Sequence, residues 1–206
     1  MSANQVRAPA PLFARRLSPH EANALKLCNQ LLKPISPFKN GLEFSNGDEW
    51  FGQGLIQNGI TDDVAMLRWR QHPPVSRNAI LYNGRMAPLP SQSFELTCAI
   101  DVLHHSRDPK ETLRDLLRLT KQYCLIKDYT YSHLPSWFLV ALEDMRGNRK
   151  LQTNSTLHYQ HKWEWLKVFD KAGFTLVELK HPVGCDGWPK RIFTKRVQFI
   201  GLWERK

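Results

Sequence analysis

Short and long stretches of apolar residues alternate along this chain, and their spacing predicts its secondary structure. Short and nearly continuous apolar runs predict β-strands, because a strand buried on both faces needs no polar alternation. Longer stretches with apolar residues at helical spacing predict helices. The predicted strands cover residues 41–44, 64–69, 79–82, 94–100, 123–126, 174–179 and 197–202, and the predicted helices cover 18–33, 50–57, 135–145, 161–172 and a segment that opens at Asp108-Pro109.

Polar residues mark where the first predicted helix begins and ends. Ser18, Pro19 and Glu21 supply a serine cap, a proline at the first helical position and a glutamate three residues after the cap, which together are typical of a helix start. Pro34 ends the helix. Residues 1–17, which are rich in Ala, Pro and Arg, are predicted to form a flexible arm, and residues 18–206 to form a single domain.

The alternation of strands and helices predicts the fold class. It is typical of an α/β protein with an open and mostly parallel sheet. In such sheets, ligands bind beyond the carboxyl ends of the central strands. Three polar segments follow predicted strands and therefore form the candidate site, namely 45–49, 101–105 and 127–131.

The chain is strongly basic, with 29 Lys and Arg against 19 Asp and Glu and a formal net charge of +10. A basic surface attracts anions such as nucleic acid, acidic lipid headgroups, phosphorylated substrates or an acidic protein. There is no run of five or six basic residues and no aromatic–glycine RNA-binding signature. A solvated basic face is therefore favoured, and an anionic macromolecular partner is the alternative. The clustered basic residues are Lys190, Arg191, Lys195, Arg196, Arg205 and Lys206.

The four cysteines and the apolar runs exclude several classes of protein. Cys28, Cys98, Cys124 and Cys185 show no metal-ligand spacing, so reduced structural thiols are expected and no metal site is predicted. The longest apolar stretches, such as 137–142, are far shorter than the roughly 20 residues of a bilayer span. No signal peptide is recognised at the N-terminus. A cytoplasmic enzyme is the expectation.

The string Asp101-Val102-Leu103-His104-His105 is the most informative for chemistry. It follows a predicted strand and precedes a predicted helix, so its titratable groups are expected at the ligand-binding edge. Histidine can accept or donate a proton near neutral pH. The alternative is that these residues cap the helix and pack against the loop.

Six short motifs occur in one order along the middle of the chain. They are Asn83-Gly84-Arg85, Pro88-Leu89-Pro90, Ser93-Phe94, Ala99 to His105, Asp108-Pro109 and Ile126-Lys127-Asp128. In order and spacing they resemble the class I S-adenosylmethionine-dependent methyltransferases, most closely their small-molecule branch. The resemblance covers about residues 40–130. It implies a Rossmann-like fold, with a mostly parallel seven-stranded sheet, helices on both faces and an antiparallel C-terminal strand.

The resemblance also implies roles for individual residues. S-adenosylmethionine is the implied cofactor and S-adenosylhomocysteine its product. His104 or His105 is the candidate base, with Asp101 beside them. Asn83 would take the place of the acid that bonds the adenine amino group. The implied cofactor-binding residues are Glu43, Ser45, Gly47, Asn83, Gly84, Asp101 and Val102, and the implied acceptor-binding residues are Lys127, Asp128, Tyr129, Tyr131 and Tyr159.

Two segments depart from the pattern of this family. In the first loop Glu43 can replace the usual acid and Gly47 stands as the central glycine, but Ser45 and Glu49 occupy the positions of the outer glycines. The end of the second strand, residues 66–72, lacks the carboxylate that usually holds the ribose. Arg68 or Arg70 could bind another anion there, although surface positions are favoured for both.

These features leave two main hypotheses for function. The first is an active methyltransferase for a small or medium-sized acceptor. The second is a catalytically degenerate module that acts through a protein partner; a homodimer also remains open, and an RNA-modifying enzyme is a weaker third hypothesis. In the segment 137–142, Trp137, Phe138, Leu139 and Leu142 could form an acceptor-binding lid, but core packing is favoured.

Overall fold

A computed structural model of the chain describes residues 16–45, 49–69, 79–151 and 158–206, with only the backbone described for 143, 144 and 146–151. The predicted arm therefore lies almost entirely outside the described residues. The strands are β1 (Gly41–Ser45), β2 (Val64–Trp69), β3 (Ile80–Tyr82), β4 (Phe94–Ile100), β5 (Thr120–Tyr131), β6 (Gln160–His161), β7 (Phe174–Lys180) and β8 (Gln198–Arg205). The helices are α1 (Pro19–Leu32), α2 (Trp50–Gln57), α3 (Pro109–Leu119), α4 (Leu134–Leu151), α5 (Leu166–Lys171) and α6 (Arg191–Thr194).

The strands form one sheet in the order β3-β2-β1-β4-β5-β8-β7, and the short β6 pairs with the end of β5. Strands β1 to β5 pair in parallel, whereas β8 runs antiparallel to both of its neighbours. The predicted mostly parallel sheet with an antiparallel C-terminal strand is confirmed. The two-residue β6 is an addition that the sequence pattern did not indicate.

Two apolar cores cover the two faces of the sheet. On one face α1 and α2 pack through Leu25, Cys28 and Phe51 against residues of β4 and β8. On the other face α3 and α5 pack through Leu116 and Phe169. Burial of apolar surface on both faces explains why the central strands consist of nearly continuous apolar runs. The predicted helices on both faces of the sheet are confirmed.

Helix α1 begins as the sequence predicts. The Ser18 hydroxyl accepts a hydrogen bond from the Glu21 amide, and the Glu21 carboxylate accepts one from the Ser18 amide, so the capping box is complete. This capping fixes the first turn of α1, which carries His20, against the carboxyl edge of the sheet.

Strand β5 continues five residues beyond its predicted end, so the prediction that Lys127–Tyr131 follow the strand is wrong. Lys127, Asp128 and Tyr129 pair with Ile200, Phe199 and Gln198 of β8. Two charged residues can lie inside a central strand here because both of their side chains have ionic partners at the edge of the sheet.

Two helices differ from their predicted extents. Helix α4 runs from Leu134 to Leu151, and α5 is shortened to Leu166–Lys171. In α4, Phe138 and Leu142 are exposed, so the favoured core packing is wrong for both. It holds in part for Trp137 and Leu139, which are partly buried against Val140, Ala141 and Val197.

Candidate active site

The carboxyl ends of β1, β4 and β5 bring the predicted site residues to one edge of the sheet. Ser45 pairs with Ile100, so the end of β1 lies beside the residue that precedes Asp101. Ile100 in turn pairs with Lys127 of β5. Gly47, the predicted central glycine of the loop, lies outside the described residues. The described parts of the three segments therefore lie side by side at the carboxyl edge of the sheet.

His104 and Asp128 form a buried dyad at this edge. His104 lies in the 3-10 helix Leu103–His105, and its Nδ1 is 2.6 Å from Oδ1 of Asp128. Asp128 also accepts hydrogen bonds from the amides of Leu103 and Tyr129, at 3.1 and 2.8 Å. Because Asp128 already accepts from two amides, we assign the role of donor in the 2.6 Å contact to Nδ1 of His104. The dyad fixes the orientation of an imidazole that can act as a base.

Aromatic rings surround the His104 imidazole. The rings of His105, Tyr129 and Tyr159 have centroids 4.1, 5.4 and 5.6 Å from that of His104. Three of the predicted site residues thus lie around the dyad. Tyr131 does not join this group, because its ring stacks on His161 at 4.8 Å. Val102, which is fully buried, contributes to the core beneath the site.

A second charged cluster forms around Lys127, whose side chain is completely buried. Its Nζ donates to both carboxylate oxygens of Asp101 at 2.6 Å. Nε2 of His20 lies 3.0 Å from both the Asp101 carboxylate and Lys127 Nζ, and Nδ1 of His20 lies 3.1 Å from Asp186. Asp186 further accepts hydrogen bonds from Thr194 and Gln198. The segments that carry His20 and Asp101 therefore meet at one buried lysine, and Asp186 joins them through His20.

The backbone of Asp101 is held in an unusual conformation by the same cluster. Its φ angle is 49°, in the left-handed region that non-glycine residues seldom adopt. The Asp101 amide donates to the carbonyl of Lys127 at 2.8 Å, so backbone and side chain both bind the same residue. Such a conformation costs free energy that the surrounding contacts must offset.

The charges of the cluster reinforce one another. Burial alone would raise the pKa of Asp101, but the Lys127 ammonium and the bonds from His20 and Lys127 hold it well below its usual range. Burial would lower the pKa of Lys127, yet the Asp101 carboxylate raises it. The pKa of Asp186 also lies well below its usual range, because the His20 and Thr194 bonds outweigh burial. These ionised states are the ones that the geometry requires.

His20 was not predicted as a site residue, and it should make the stability of the protein depend on pH. Burial and Lys127 would lower the pKa of His20, but the bonds to Asp101 and Asp186 raise it above its usual 6.5. The folded state therefore binds the proton more tightly than the unfolded state. The stabilisation is fully present below pH 6.5 and is lost as the pH rises through the folded pKa.

Urea denaturation at pH values below and above 6.5 measures this effect. We expect the free energy of unfolding to decrease with rising pH across this window in the parent protein, and His20→Gln to flatten the slope. His133→Gln, at an exposed position, is the matched control and should leave the slope unchanged. An unchanged slope in His20→Gln would show that the cluster does not bind the proton as described.

At the end of β1 the predicted cofactor residues bind each other. Glu43 is buried, and its carboxylate accepts hydrogen bonds from the Ser45 hydroxyl at 2.6 Å and from the Gly52 amide at 2.8 Å. Burial raises the pKa of Glu43 despite these two bonds. Glu49, at a position of an outer glycine in the resemblance, has a φ of 65°. This left-handed conformation favours glycine, so the substitution by glutamate is strained.

The end of β2 carries buried donors that sequence reasoning missed. Arg68 is 4% exposed, so its favoured surface position is wrong; Arg70 lies outside the described residues. Nε and Nη1 of Arg68 and Nε1 of Trp69 are buried and have no hydrogen-bond partner among the described residues. Buried donors without partners are costly and commonly mark a site that a ligand or water completes.

The β3 end offers an exposed amide beside these donors. Asn83 accepts a hydrogen bond from the Arg85 amide through Oδ1, which leaves capacity for a second bond. Gly84 has a φ of 89°, and an added Cβ would lie 3.3 Å from the Trp69 ring. Gly84 therefore permits both the turn and the close approach of the indole.

A basic groove of about 550 Å³ lies between α3 and α5. Lys110 and Arg114 line it from α3, and Lys167 and Lys171 from α5, while Glu164 pairs with Lys110 at 2.6 Å. Part of the basic surface of the protein therefore lies in this groove, and the carboxylate of Glu164 compensates part of its positive charge.

The cysteines are buried free thiols, as the sequence predicts. Burial raises the pKa of the Cys185 thiol to about 11 and that of Cys124 to about 12, so both are protonated at neutral pH. Within the four described ranges, no group of three or more His, Cys, Asp or Glu could hold a metal ion. No helix in this part of the chain is long and apolar enough to cross a membrane.

No family model matches the sequence, and no curated protein is similar to it. Solved structures are similar in fold. An S-adenosylmethionine-dependent methyltransferase from Mesorhizobium loti has a TM-score of 0.62 at 12% identity and covers 90% of this chain and 100% of its own. A methyltransferase from Haloferax volcanii, solved with the Trm112 methyltransferase activator, has a TM-score of 0.62 at 12% identity. The alignment covers 89% of this chain and 90% of that methyltransferase.

Magnesium protoporphyrin IX methyltransferase from Synechocystis, solved with S-adenosylhomocysteine, has a TM-score of 0.57 at 13% identity and covers 91% and 84% of the two chains. All three identities are low, so the similarity concerns the architecture. The chain has the fold of the class I S-adenosylmethionine-dependent methyltransferases, as its motifs indicate.

Proposed function

We propose that this chain, which has the class I methyltransferase fold, transfers a methyl group from S-adenosylmethionine to a small or medium-sized acceptor. The observation that carries the proposal is the His104–Asp128 dyad at the carboxyl edge of β4 and β5. Ligands of open α/β sheets bind at this edge. A base held there is placed where an acceptor would lose a proton.

The residues present fit the adenosine half of the cofactor. Nε1 of Trp69 and Nε and Nη1 of Arg68 are buried donors at the end of β2 that have no partner within the described ranges, and ribose hydroxyls can accept from such donors. The Asn83 carbonyl retains acceptor capacity for an adenine amino group. We infer that Arg68, Trp69, Asn83 and Gly84 hold adenosine, in a binding mode that does not need the usual ribose-binding acid.

The mechanism requires a positioned base and an oriented acceptor. When bound, S-adenosylmethionine would supply an electrophilic methyl group. The acceptor would bond to the methyl carbon, and the electron pair of the broken carbon–sulfur bond would remain on sulfur. Nε2 of His104 takes the proton of the acceptor. Asp128 keeps the proton on Nδ1 and stabilises the imidazolium that forms. Tyr129 and Tyr159 flank the imidazole and would orient the acceptor beside it.

In this mechanism Asp101 and Lys127 have a different role from the one that the resemblance implies. Their charges compensate each other inside the cluster with His20, so they position the segment that carries His104. His105, whose ring lies against His104, remains a candidate for contact with the acceptor.

The alternative is a degenerate methyltransferase-like module that acts through a partner protein. The β1 end favours it, because Glu43 and Ser45 are buried and bind each other, and Glu49 is strained in a position suited to glycine. A bulky acid beside the carboxylate of a cofactor would repel it.

Calorimetric titration with S-adenosylmethionine and S-adenosylhomocysteine separates these functions. We expect binding at micromolar concentrations, and we expect Trp69→Phe, which removes the Nε1 donor, to weaken it by roughly tenfold. Trp188→Phe, at an exposed position, is the control. An absence of heat at millimolar cofactor would contradict the proposal. If Ser45→Gly with Glu49→Gly then restored binding, the degenerate alternative would be supported.

A further inference from the structure

Large apolar side chains are exposed on two neighbouring segments of the chain. The α4 stripe consists of Leu134, Phe138, Leu142 and Met145, with Leu134 73% and Phe138 65% exposed. Their spacing of four, four and three residues places them on one face of the helix. The Trp188 segment, residues 188–193, exposes Trp188 (84%), Ile192 (52%) and Phe193 (63%). Exposed clusters of this kind mark interaction sites.

The two segments adjoin. Helix α4 packs against α6 and against the 3-10 helix Lys195–Val197, and Val140 and Ala141 of α4 are buried with Val197. Val140 and Ala141 of α4 thus contact the part of the chain that follows Trp188, whereas the side chains of the α4 stripe are exposed to solvent. The α4 stripe and the Trp188 segment thus belong to elements that pack against each other, and together they are called here the apolar rim.

The exposed charges around the Trp188 segment are positive. Between residues 181 and 197 the exposed charged side chains are those of Lys190, Arg191, Lys195 and Arg196. The one acid of this stretch, Asp186, is buried, and it pairs with Lys190 at 3.2 Å as well as with His20. Arg191, Lys195 and Arg196 therefore place cations beside the exposed aromatic side chains of this segment, whereas the sequence of α4 has Glu143 and Asp144 between Leu142 and Met145.

We propose that the apolar rim docks the protein onto an anionic lipid surface. Trp188 and Phe193 would enter the boundary between headgroups and acyl chains, where amphipathic aromatic rings partition favourably. Arg191, Lys195 and Arg196 would lie against acidic headgroups, which attract cations near the surface. This combination of apolar and basic side chains is that of interfacial anchors.

Two other occupants fit the apolar rim less well. A second copy of the chain that paired its Trp188 segment with this one would bring two sets of cations together, which is unfavourable. Single-stranded nucleic acid binds by stacking bases on aromatic rings, but Leu134, Leu142, Met145 and Ile192 offer no stacking surface. The aliphatic share of the rim therefore favours acyl chains.

The position of the apolar rim also suggests an acceptor class, and this step rests on the proposed function. Residues 181–197 join β7 to β8 at the edge of the sheet where β5 ends, and their Asp186 contacts His20 in the charged cluster of the candidate site. A docked protein would hold this edge of the sheet near the lipid surface. The acceptor would then be an amphiphile that resides in the membrane.

Vesicle co-sedimentation of the full chain tests docking without cofactor. We expect binding to vesicles of phosphatidylcholine with phosphatidylglycerol and at least about tenfold weaker binding to phosphatidylcholine alone. Trp188→Ser with Phe193→Ser should weaken binding by about tenfold or more. The matched control is Leu176→Ser with Val177→Ser, two exposed apolar positions on β7 away from the rim, which should bind like the parent.

Several outcomes would overturn the docking proposal. They are failure to bind anionic vesicles, equal binding by the Trp188 and Phe193 variant, or a rim-dependent dimer or oligonucleotide complex in place of vesicle binding. Tritiated methyl transfer into the extracted lipid tests the acceptor class separately. If the protein docks and binds S-adenosylmethionine but labels no lipid, the acceptor step alone is wrong; if cofactor does not bind, the proposed function fails and docking stands.

Discussion

Replacing Lys127 by methionine is expected to lower the free energy of unfolding by about 3 kcal/mol, because it removes one partner of a buried ion pair. Lys127 is completely buried, and both oxygens of Asp101 accept from it. Without the ammonium, the partly buried Asp101 carboxylate, whose side chain is 24% exposed, keeps only His20 to compensate its charge. In a protein of this size the melting temperature should fall by roughly 6–12 °C.

Two further variants make the measurement specific. Lys121→Met, at an exposed position on the same strand, should change the free energy of unfolding by less than about 0.5 kcal/mol. The double variant Lys127→Met with Asp101→Asn should be less destabilised than the sum of the two single variants, since it removes both charges together. Strict additivity, or a Lys127→Met protein as stable as its parent, would show that the ion pair does not stabilise the fold.

Replacing His104 by glutamine is expected to lower kcat for methyl transfer by about 10²- to 10⁴-fold, the usual contribution of a general base. Asp128→Asn should give a similar loss, because the amide no longer fixes the proton on Nδ1 of the imidazole. The affinity for S-adenosylmethionine, measured by calorimetry, should change by less than a few fold in both variants. A merely structural role would weaken cofactor binding and turnover together.

The pH dependence of the rate adds an independent check on His104. The parent should lose activity as the pH falls and the base becomes protonated, and His104→Gln should lack this limb. His133→Gln, at an exposed position, is the control and should turn over like the parent. A His104→Gln protein that retained most of the parent's rate would remove His104 from the mechanism.

The central strands could be predicted from the apolar pattern, because burial on both faces of the sheet requires nearly continuous apolar runs. Phe94–Ile100 is a strand with the predicted boundaries, and its continuous apolar run is the direct cause. The same rule failed for β5 beyond Ile126, since Lys127 and Asp128 interrupt the pattern. Their partners, Asp101 and His104, lie more than twenty residues away, and pairing at that distance has no local signal.

The predicted helix at 161–172 was too long for a similar reason. Lys162 and Trp163 have φ angles of 45° and 62°, which end any helix. Residues 160–161 pair instead with Thr130 and Tyr131 of the extended β5. The segment contains no Gly, Pro or Asn at this point that would have marked the break.

The site residues that belong to a sequence motif could be predicted. Those that come together only through the tertiary fold could not. The string 101–105 directed attention to His104, and Asp128 and Tyr129 were named beside it. His20 was assigned only to a helix start, although it joins the charged cluster, and Asp186 gave no signal. Arg68 was assigned to the surface because a lone arginine usually lies there.

The position of β8 has a consequence for synthesis of the protein. Strand β8 follows β7 along the chain but lies between β5 and β7 in the sheet. Until residues 198–205 have left the ribosome, the free side of β5 and all of β7 lack their hydrogen-bonding neighbour. A nascent chain that stalls before this strand would therefore expose two open sheet edges, which are prone to aggregation. The sheet can close only after translation has passed residue 205.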